Sequence, residues 1–160
     1  MKTLILYATK HGTAKDLAER IASKFPDSTI CDLKSTDIPP LSGFEGVIIG
    51  SSVYAGRIRK EAKKFVKKNA DILATKRLGL YLAGMSPQED SMYFPSNFPP
   101  KVLEAAVVKS LIGGVFDPAK AGSIERKIME TITKQSEYMS SIDDNRLEAF
   151  IDAMKKTDGD

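Results

Sequence analysis

The sequence predicts an α/β fold: a parallel sheet covered by helices on both faces. Three observations carry that reading. Short continuous apolar runs, such as TLILYA at 3–8 and GVIIGSS at 46–52, have the pattern of strands buried on both faces. Between such runs the apolar spacing changes to that of amphipathic helices, and alternating strands and helices build parallel sheets through right-handed crossovers. The chain has 160 residues, 42% hydrophobic and 28% charged, which suits one domain spanning residues 1–160 around one ordinary core.

Residues 3–8 form the first strand. Residues 13–25 follow at helical spacing, with Ala14, Ala18, Ile21, Ala22 and Phe25 on one face, and Pro26-Asp27 closes the helix. Residues 28–33 (STICDL) make a second, shorter strand. Residues 35–45 hold Pro39-Pro40 and Ser42-Gly43 and read as loop with at most a short helix. Residues 46–52 are the third strand. Residues 58–73 read as one helix with Ile58, Ala62, Phe65, Val66, Ile72 and Leu73 along a stripe. Residues 78–83 (LGLYLA) are the fourth strand, and 84–100, rich in Ser, Pro and Asn, a long loop of the kind that often carries function. A short helix is expected at 101–108 and a fifth strand at 109–116 (KSLIGGVF). Two helical stretches complete the chain. Ile124, Ile128, Met129, Ile132, Tyr138 and Met139 mark the first, expected to cover the sheet or to add to a partner surface. Leu147, Phe150, Ile151 and Met154 line the second, with Asn145 as its cap and Glu148 three residues on.

Composition excludes several classes. A single cysteine, Cys31, rules out an internal disulfide framework and a multi-cysteine metal site, and its place in a strand predicts an inert thiol. No stretch approaches the roughly 20 apolar residues of a membrane span, and the apolar N-terminal run is too short for a signal segment, so a cytoplasmic protein is expected. The net charge of +3 is too weak to argue for nucleic acid as a partner.

Open parallel sheets bind ligands at the carboxyl ends of their strands, near the reversal of strand order. The loops after strands one, three, four and five are therefore the candidates. The first, Thr9, Lys10, His11, Gly12, Thr13 and Ala14, runs from a strand straight into a helix. Two hydroxyls, a glycine and the free N–H groups of a helix start have the chemistry of a phosphate site. A simple helix cap is the alternative. The dinucleotide pattern G-x-G-x-x-G and the Walker pattern are both absent there, which points to a mononucleotide.

This loop resembles the phosphate loop of flavodoxins, whose pattern is [ST]-x-[ST]-G-x-T. Thr9, Gly12 and Thr13 match in kind, while Lys10, His11 and Ala14 depart from it, Ala14 standing where a Thr is usual. Residues 4–18 (LILYATKHGTAKDLA) and 50–66 (GSSVYAGRIRKEAKKFV) are similar to the flavodoxin-like branch that includes menaquinone-dependent protoporphyrinogen oxidases. The resemblance implies a three-layer flavodoxin-like sandwich with five parallel strands in the order 2-1-3-4-5, and FMN as cofactor.

It also implies roles for the other loops. Ser51, Ser52, Val53, Tyr54, Ala55 and Gly56 would cover one flavin face, with Tyr54 stacking on the ring and Gly56 giving a backbone carbonyl freedom to move. Gly84, Met85 and Ser86 would meet the other face through backbone groups. Tyr93 is an aromatic candidate for the same face, the alternative being that Tyr93 and Phe94 anchor the loop in the core. Gly113-Gly114 permit a close approach by a backbone or by the ring, and Asp117 reads as a local cap. His11 is the sole histidine, either a phosphate contact or a solvated residue.

The function implied is electron transfer between partners. A quinone-linked flavin oxidase and a flavin-free binding module are the alternatives. Charge adds one expectation. Residues 57–68 carry seven basic residues against Glu61 alone, while the remainder of the chain has 17 basic and 20 acidic residues. Arg57, Lys60 and Lys64 lie on the face opposite the apolar stripe, either as a solvated face or as a dock for an acidic redox partner, an acidic substrate or an anionic membrane.

Overall fold

The computed structural model describes residues 1–85, 90–133 and 137–156. The first apolar run forms β1 (Thr3–Ala8), followed by α1 (Thr13–Ala22) and β2 (Ser28–Asp32). A single 3-10 turn, Leu41–Gly43, interrupts the next loop. Then come β3 (Gly46–Tyr54), β4 (Arg57–Ile58), α2 (Lys60–Lys68), α3 (Ala70–Leu73) and β5 (Arg77–Ala83). The remainder consists of α4 (Asp90–Asn97), α5 (Pro100–Ala105), β6 (Ala106–Gly113), β7 (Val115–Phe116), α6 (Ser123–Thr133), β8 (Met139–Ser140) and α7 (Asp144–Lys155).

The sheet runs β2-β1-β3-β5-β6, all parallel, with β4 added antiparallel to β3. Numbered by its five parallel strands, that is the expected order 2-1-3-4-5. Successive side chains leave a strand on opposite faces, so each strand feeds two cores. Leu4, Leu6, Val47, Ile49, Leu80 and Leu111 pack with α2 to α5 through Ala62, Val66, Leu73, Phe94 and Val102. Ile5, Ile48, Tyr81 and Ile112 pack on the other face with α1 and α7 through Leu17, Ile21, Leu147, Phe150 and Met154. Each such large side chain contributes about 1.5–3 kcal/mol when fully buried. No described helix is long and apolar enough to cross a membrane.

Several expected boundaries move. The first helix stops at Ala22 rather than reaching 25, and the second strand stops at Asp32. The single helix at 58–73 is two. Ile58 belongs to β4, and the helix breaks at Asn69, whose side-chain amide donates to the Phe65 carbonyl at 2.9 Å. The loop at 84–100 contains α4, with Pro95 inside it; Phe94 and Phe98, both buried and 5.9 Å apart, hold it to the sheet. The short helix at 101–108 ends at Ala105, because the β-branched Val107 and Val108 enter β6. The expected fifth strand divides at Gly113, whose φ of 130° only glycine adopts freely, and β7 pairs antiparallel with β8.

The two C-terminal stretches also differ from expectation. Asp143, not Asn145, caps α7, accepting from the N–H groups of Asn145 and Arg146 at 2.9 and 3.2 Å. The first stretch is helical over Ser123–Thr133, and Met139 is in β8. Ile124 is 73% exposed, so its described apolar side chain does not cover the sheet. The side chains of Ile128, Met129 and Ile132 lie outside the described residues, as does Ser86.

Candidate functional site

Strand order reverses between β1 and β3, and the loops leaving their carboxyl ends meet there. After β1, the Thr9 hydroxyl accepts the Gly12 N–H at 2.8 Å. Gly12 turns at φ 99° and starts α1 with no side-chain cap. The opening N–H groups of any helix lack intrahelical partners, so α1 offers donors and the positive end of its dipole at this point. The Ser52 hydroxyl at the end of β3 accepts the Lys10 N–H at 3.2 Å and ties the two loops together.

A neutral anchor holds α1 from below. The buried Tyr81 hydroxyl donates to the Ala14 carbonyl at 2.7 Å. Burial, with Tyr7 nearby, pushes that hydroxyl far above the usual tyrosine range, so it stays a donor. The Tyr81 ring lies where a side chain at Gly50 would stand, which explains glycine in the middle of β3. Ala14 itself is buried, leaving its backbone N–H as the group it can offer to a ligand.

The second wall is the end of β3. The chain reverses through Tyr54-Ala55-Gly56-Arg57, with φ 50° at Ala55 and 75° at Gly56, the two positive angles of a type I′ hairpin turn. Asn97, buried at the end of α4, clamps this turn. Its Oδ1 accepts the Ile58 N–H at 3.1 Å, and its Nδ2 donates to the carbonyls of Gly56 at 2.9 Å and Tyr93 at 2.7 Å. The Gly56 carbonyl is thus held in place. Ser51 is buried, its hydroxyl accepting the Arg59 N–H and donating to the Ser52 carbonyl. Tyr93 and Phe94 pack into the core.

The third wall is made of backbone. Gly84 N–H donates to the Gly113 carbonyl at 3.0 Å, and a Cβ on Gly114 would lie 2.6 Å from the Gly84 carbonyl carbon. The two glycines therefore admit other backbones, those of Gly84-Met85 and Ser141-Ile142. Asp117 is a local cap, accepting the Ala119 N–H at 3.0 Å.

These walls enclose a cavity of about 70 Å³. Lys10, His11 and Thr13 line one side, Ser52, Val53 and Tyr54 the second, and Ala83, Gly114 and Val115 the third. Thr9, Gly12, Ala14, Ser51, Ala55, Gly56, Gly84 and Met85 are not among the residues that line it.

Two contributors were not foreseen. Glu125, at the start of α6, pairs with Lys10 through Oε1 and with His11 through Oε2, the latter at 2.8 Å from Nε2. Burial works to raise its carboxyl, but hydrogen bonds and charges from Lys10 and His11 outweigh that and hold it below the usual glutamate range. Lys120 reaches the His11 carbonyl at 3.5 Å. Meanwhile the Lys10 ammonium lies 3.8 Å over the Tyr54 ring, which is 39% exposed. No sequence motif marks either residue, since both meet the loop across more than a hundred positions.

The donor set fits a phosphate monoester: helix N–H groups, Thr13, Lys10 and Lys120. Tyr54 fits a flat aromatic ring. The room above Tyr54 is filled by Lys10, a flexible stem able to swing aside.

A doubly wound parallel sheet with a hydroxyl-bearing loop-to-helix turn at its switch point defines a mononucleotide-binding α/β protein. The model of the flavodoxin domain family matches residues 4–143, and the chain belongs to that family. Among curated relatives, protoporphyrinogen IX dehydrogenase [quinone] of Escherichia coli (strain K12) is 30% identical over 74 residues, a match covering 44% of this chain and 41% of that protein. A short-chain flavodoxin associated with a bacterial microcompartment superposes with a TM-score of 0.60 at 17% identity, covering 96% of this chain and 97% of that one. A flavoprotein in complex with FMN, from Lactobacillus acidophilus NCFM, gives 0.50 at 18% identity over 71% of this chain and 91% of the other. At these identities the two structures show the fold.

Proposed function

We propose that this chain binds one FMN and carries electrons between redox partners. The observation that carries the reading is the convergence, in one cavity at the sheet's switch point, of a phosphate-type loop and the Tyr54 ring, over which the Lys10 ammonium lies. The N-terminus of α1 with Thr9 to Thr13 would hold the phosphate, and Tyr54 would stack on the ring. Bound FMN supplies the electron-carrying chemistry, while the protein sets access and electrostatics. Lys10 and Lys120 offset the phosphate charge and so lower the cost of adding electrons to the flavin.

The purified chain should take up FMN and show the flavin's visible absorption bands. A chain that remains colourless after incubation with FMN would favour a flavin-free binding module. In Lys10→Ala the midpoint potentials of bound FMN should fall, and unchanged potentials would remove Lys10 from that role.

The basic segment at 57–68, β4 with α2, supports the choice of partner. Arg57, Lys60, Lys63, Lys64, Lys67 and Lys68 are all exposed, and Arg57 directly follows the Tyr54 turn. We infer an acidic redox partner docking at Arg57, Lys60 and Lys64, beside the cofactor, and a cytoplasmic place of action. Lys60→Glu with Lys64→Glu should slow electron transfer with such a partner and leave FMN binding unchanged. Loss of binding to anionic vesicles alone would redirect the surface to a membrane. The partial match to the quinone-linked dehydrogenase favours an oxidase as the second reading. Anaerobic mixing with reduced porphyrinogen and a menaquinone analogue separates the two, since turnover belongs only to the oxidase.

A further inference from the structure

Glu125 places a carboxylate on the two side chains that lead the phosphate loop. Its oxygens engage Lys10 and His11 separately, and its side chain is only 15% exposed, so the contact is partly shielded from water. Among the described residues, the charged neighbours of the loop make other contacts. Lys120 reaches the backbone of His11 rather than Glu125, and Asp16 sits in the first turn of α1. Arg126, the neighbour of Glu125, turns away to the Pro118 carbonyl at 3.0 Å. A phosphate approaching the start of α1 therefore meets Lys10 and His11 together with the carboxylate they already hold. Like charges at such a site are mutually unfavourable, and the phosphate must share or displace Glu125.

We infer that Glu125 is a specificity-determining residue: it weakens the site's grip on the phosphate and so sets how strongly the protein prefers FMN over riboflavin. The inference rests on the FMN reading above. Riboflavin carries the same ring and no phosphate, so it must move Lys10 off the Tyr54 ring as FMN does but brings no negative charge against Glu125. The isosteric change Glu125→Gln removes the charge and keeps the side chain's shape. Its position at a partly exposed contact outside both cores leaves the fold intact.

Flavin binding is measured by fluorescence quenching for the wild type, Glu125→Gln and Glu125→Ala, with FMN and with riboflavin. Both variants should bind FMN about tenfold more tightly, with a steeper loss of affinity as salt is added, and riboflavin within about twofold of the wild type. Weaker or unchanged FMN binding would overturn the inference, by making Glu125 a support of the site. So would equal gains for FMN and riboflavin, which would assign its effect to shape. If the wild type binds FMN and the variants gain nothing, this inference alone fails. If the wild type binds neither flavin, the FMN reading fails and this one with it.

Discussion

The two loops that face each other across the cavity are held by different forces. The Tyr54–Arg57 turn is fixed by backbone pairing and by the neutral side chain of Asn97, which makes three hydrogen bonds in a buried place. The Thr9–Thr13 loop has its own hydroxyl contact, but its leading side chains are held by an ion-paired carboxylate from a distant helix. Neutral buried hydrogen bonds are indifferent to salt and to mild changes in pH, whereas partly exposed ion pairs are screened and titrate. One wall should therefore behave as a fixed surface and the other as an adjustable one.

The strongest way to break that contrast is Asn97→Ala. It leaves the Ile58 N–H and two carbonyls without their partner and should cost about 2–3 kcal/mol in urea unfolding, equally at low and high salt. A cost that shrinks with salt would place electrostatics in the fixed wall too. Next in size is Glu125→Gln, which should cost about 1 kcal/mol or less near neutrality. Because the folded carboxyl lies below its unfolded value, this contribution is complete above the ordinary 4.5 and is lost as pH falls below it through the depressed folded value. Wild type and variant should therefore converge in stability in acid and in high salt; a constant gap would contradict the ion-pair account. The smallest effect sharpens the comparison within the turn itself. Ala55→Gly relieves a left-handed alanine and should gain about 0.5 kcal/mol in the same unfolding assay, the relief being partly offset by glycine's greater freedom in the unfolded chain.

The same contrast separates what the sequence could announce from what it could not. The sheet was legible because strands buried on both faces must be apolar throughout, and β1 and the beginning of β3 appear as uninterrupted runs. The Thr9–Thr13 loop was legible because a hydroxyl-rich strand-to-helix turn is a local pattern. Helix α4 was hidden by Pro95 and its Ser and Asn neighbours, since local propensity argued for loop and only the burial of Phe94 and Phe98 decides otherwise. Asn97 had no local signal at all, because its partners Gly56 and Ile58 lie about forty residues earlier. Glu125 lies in a stretch whose apolar spacing allowed either a sheet-covering helix or a partner surface, and the exposure of Ile124, the one described apolar side chain in α6, bears on the choice. Contacts that depend on topology are invisible to spacing rules until the topology is in hand.

Helix α7 has a consequence for how the chain comes to fold. It covers β5 and β6 on the face shared with α1, and Met154 and Phe150 approach so closely that a Cβ on Gly79 would stand 2.7 and 2.9 Å from them. During synthesis all five parallel strands emerge before this helix does. On that face α1 packs over β1 and β3, while the side formed by β6 with Ile112 is covered only once residues 147–154 have left the ribosome. Seating α7 on β5 and β6 joins residues far apart in sequence, a non-local contact of the kind that slows folding.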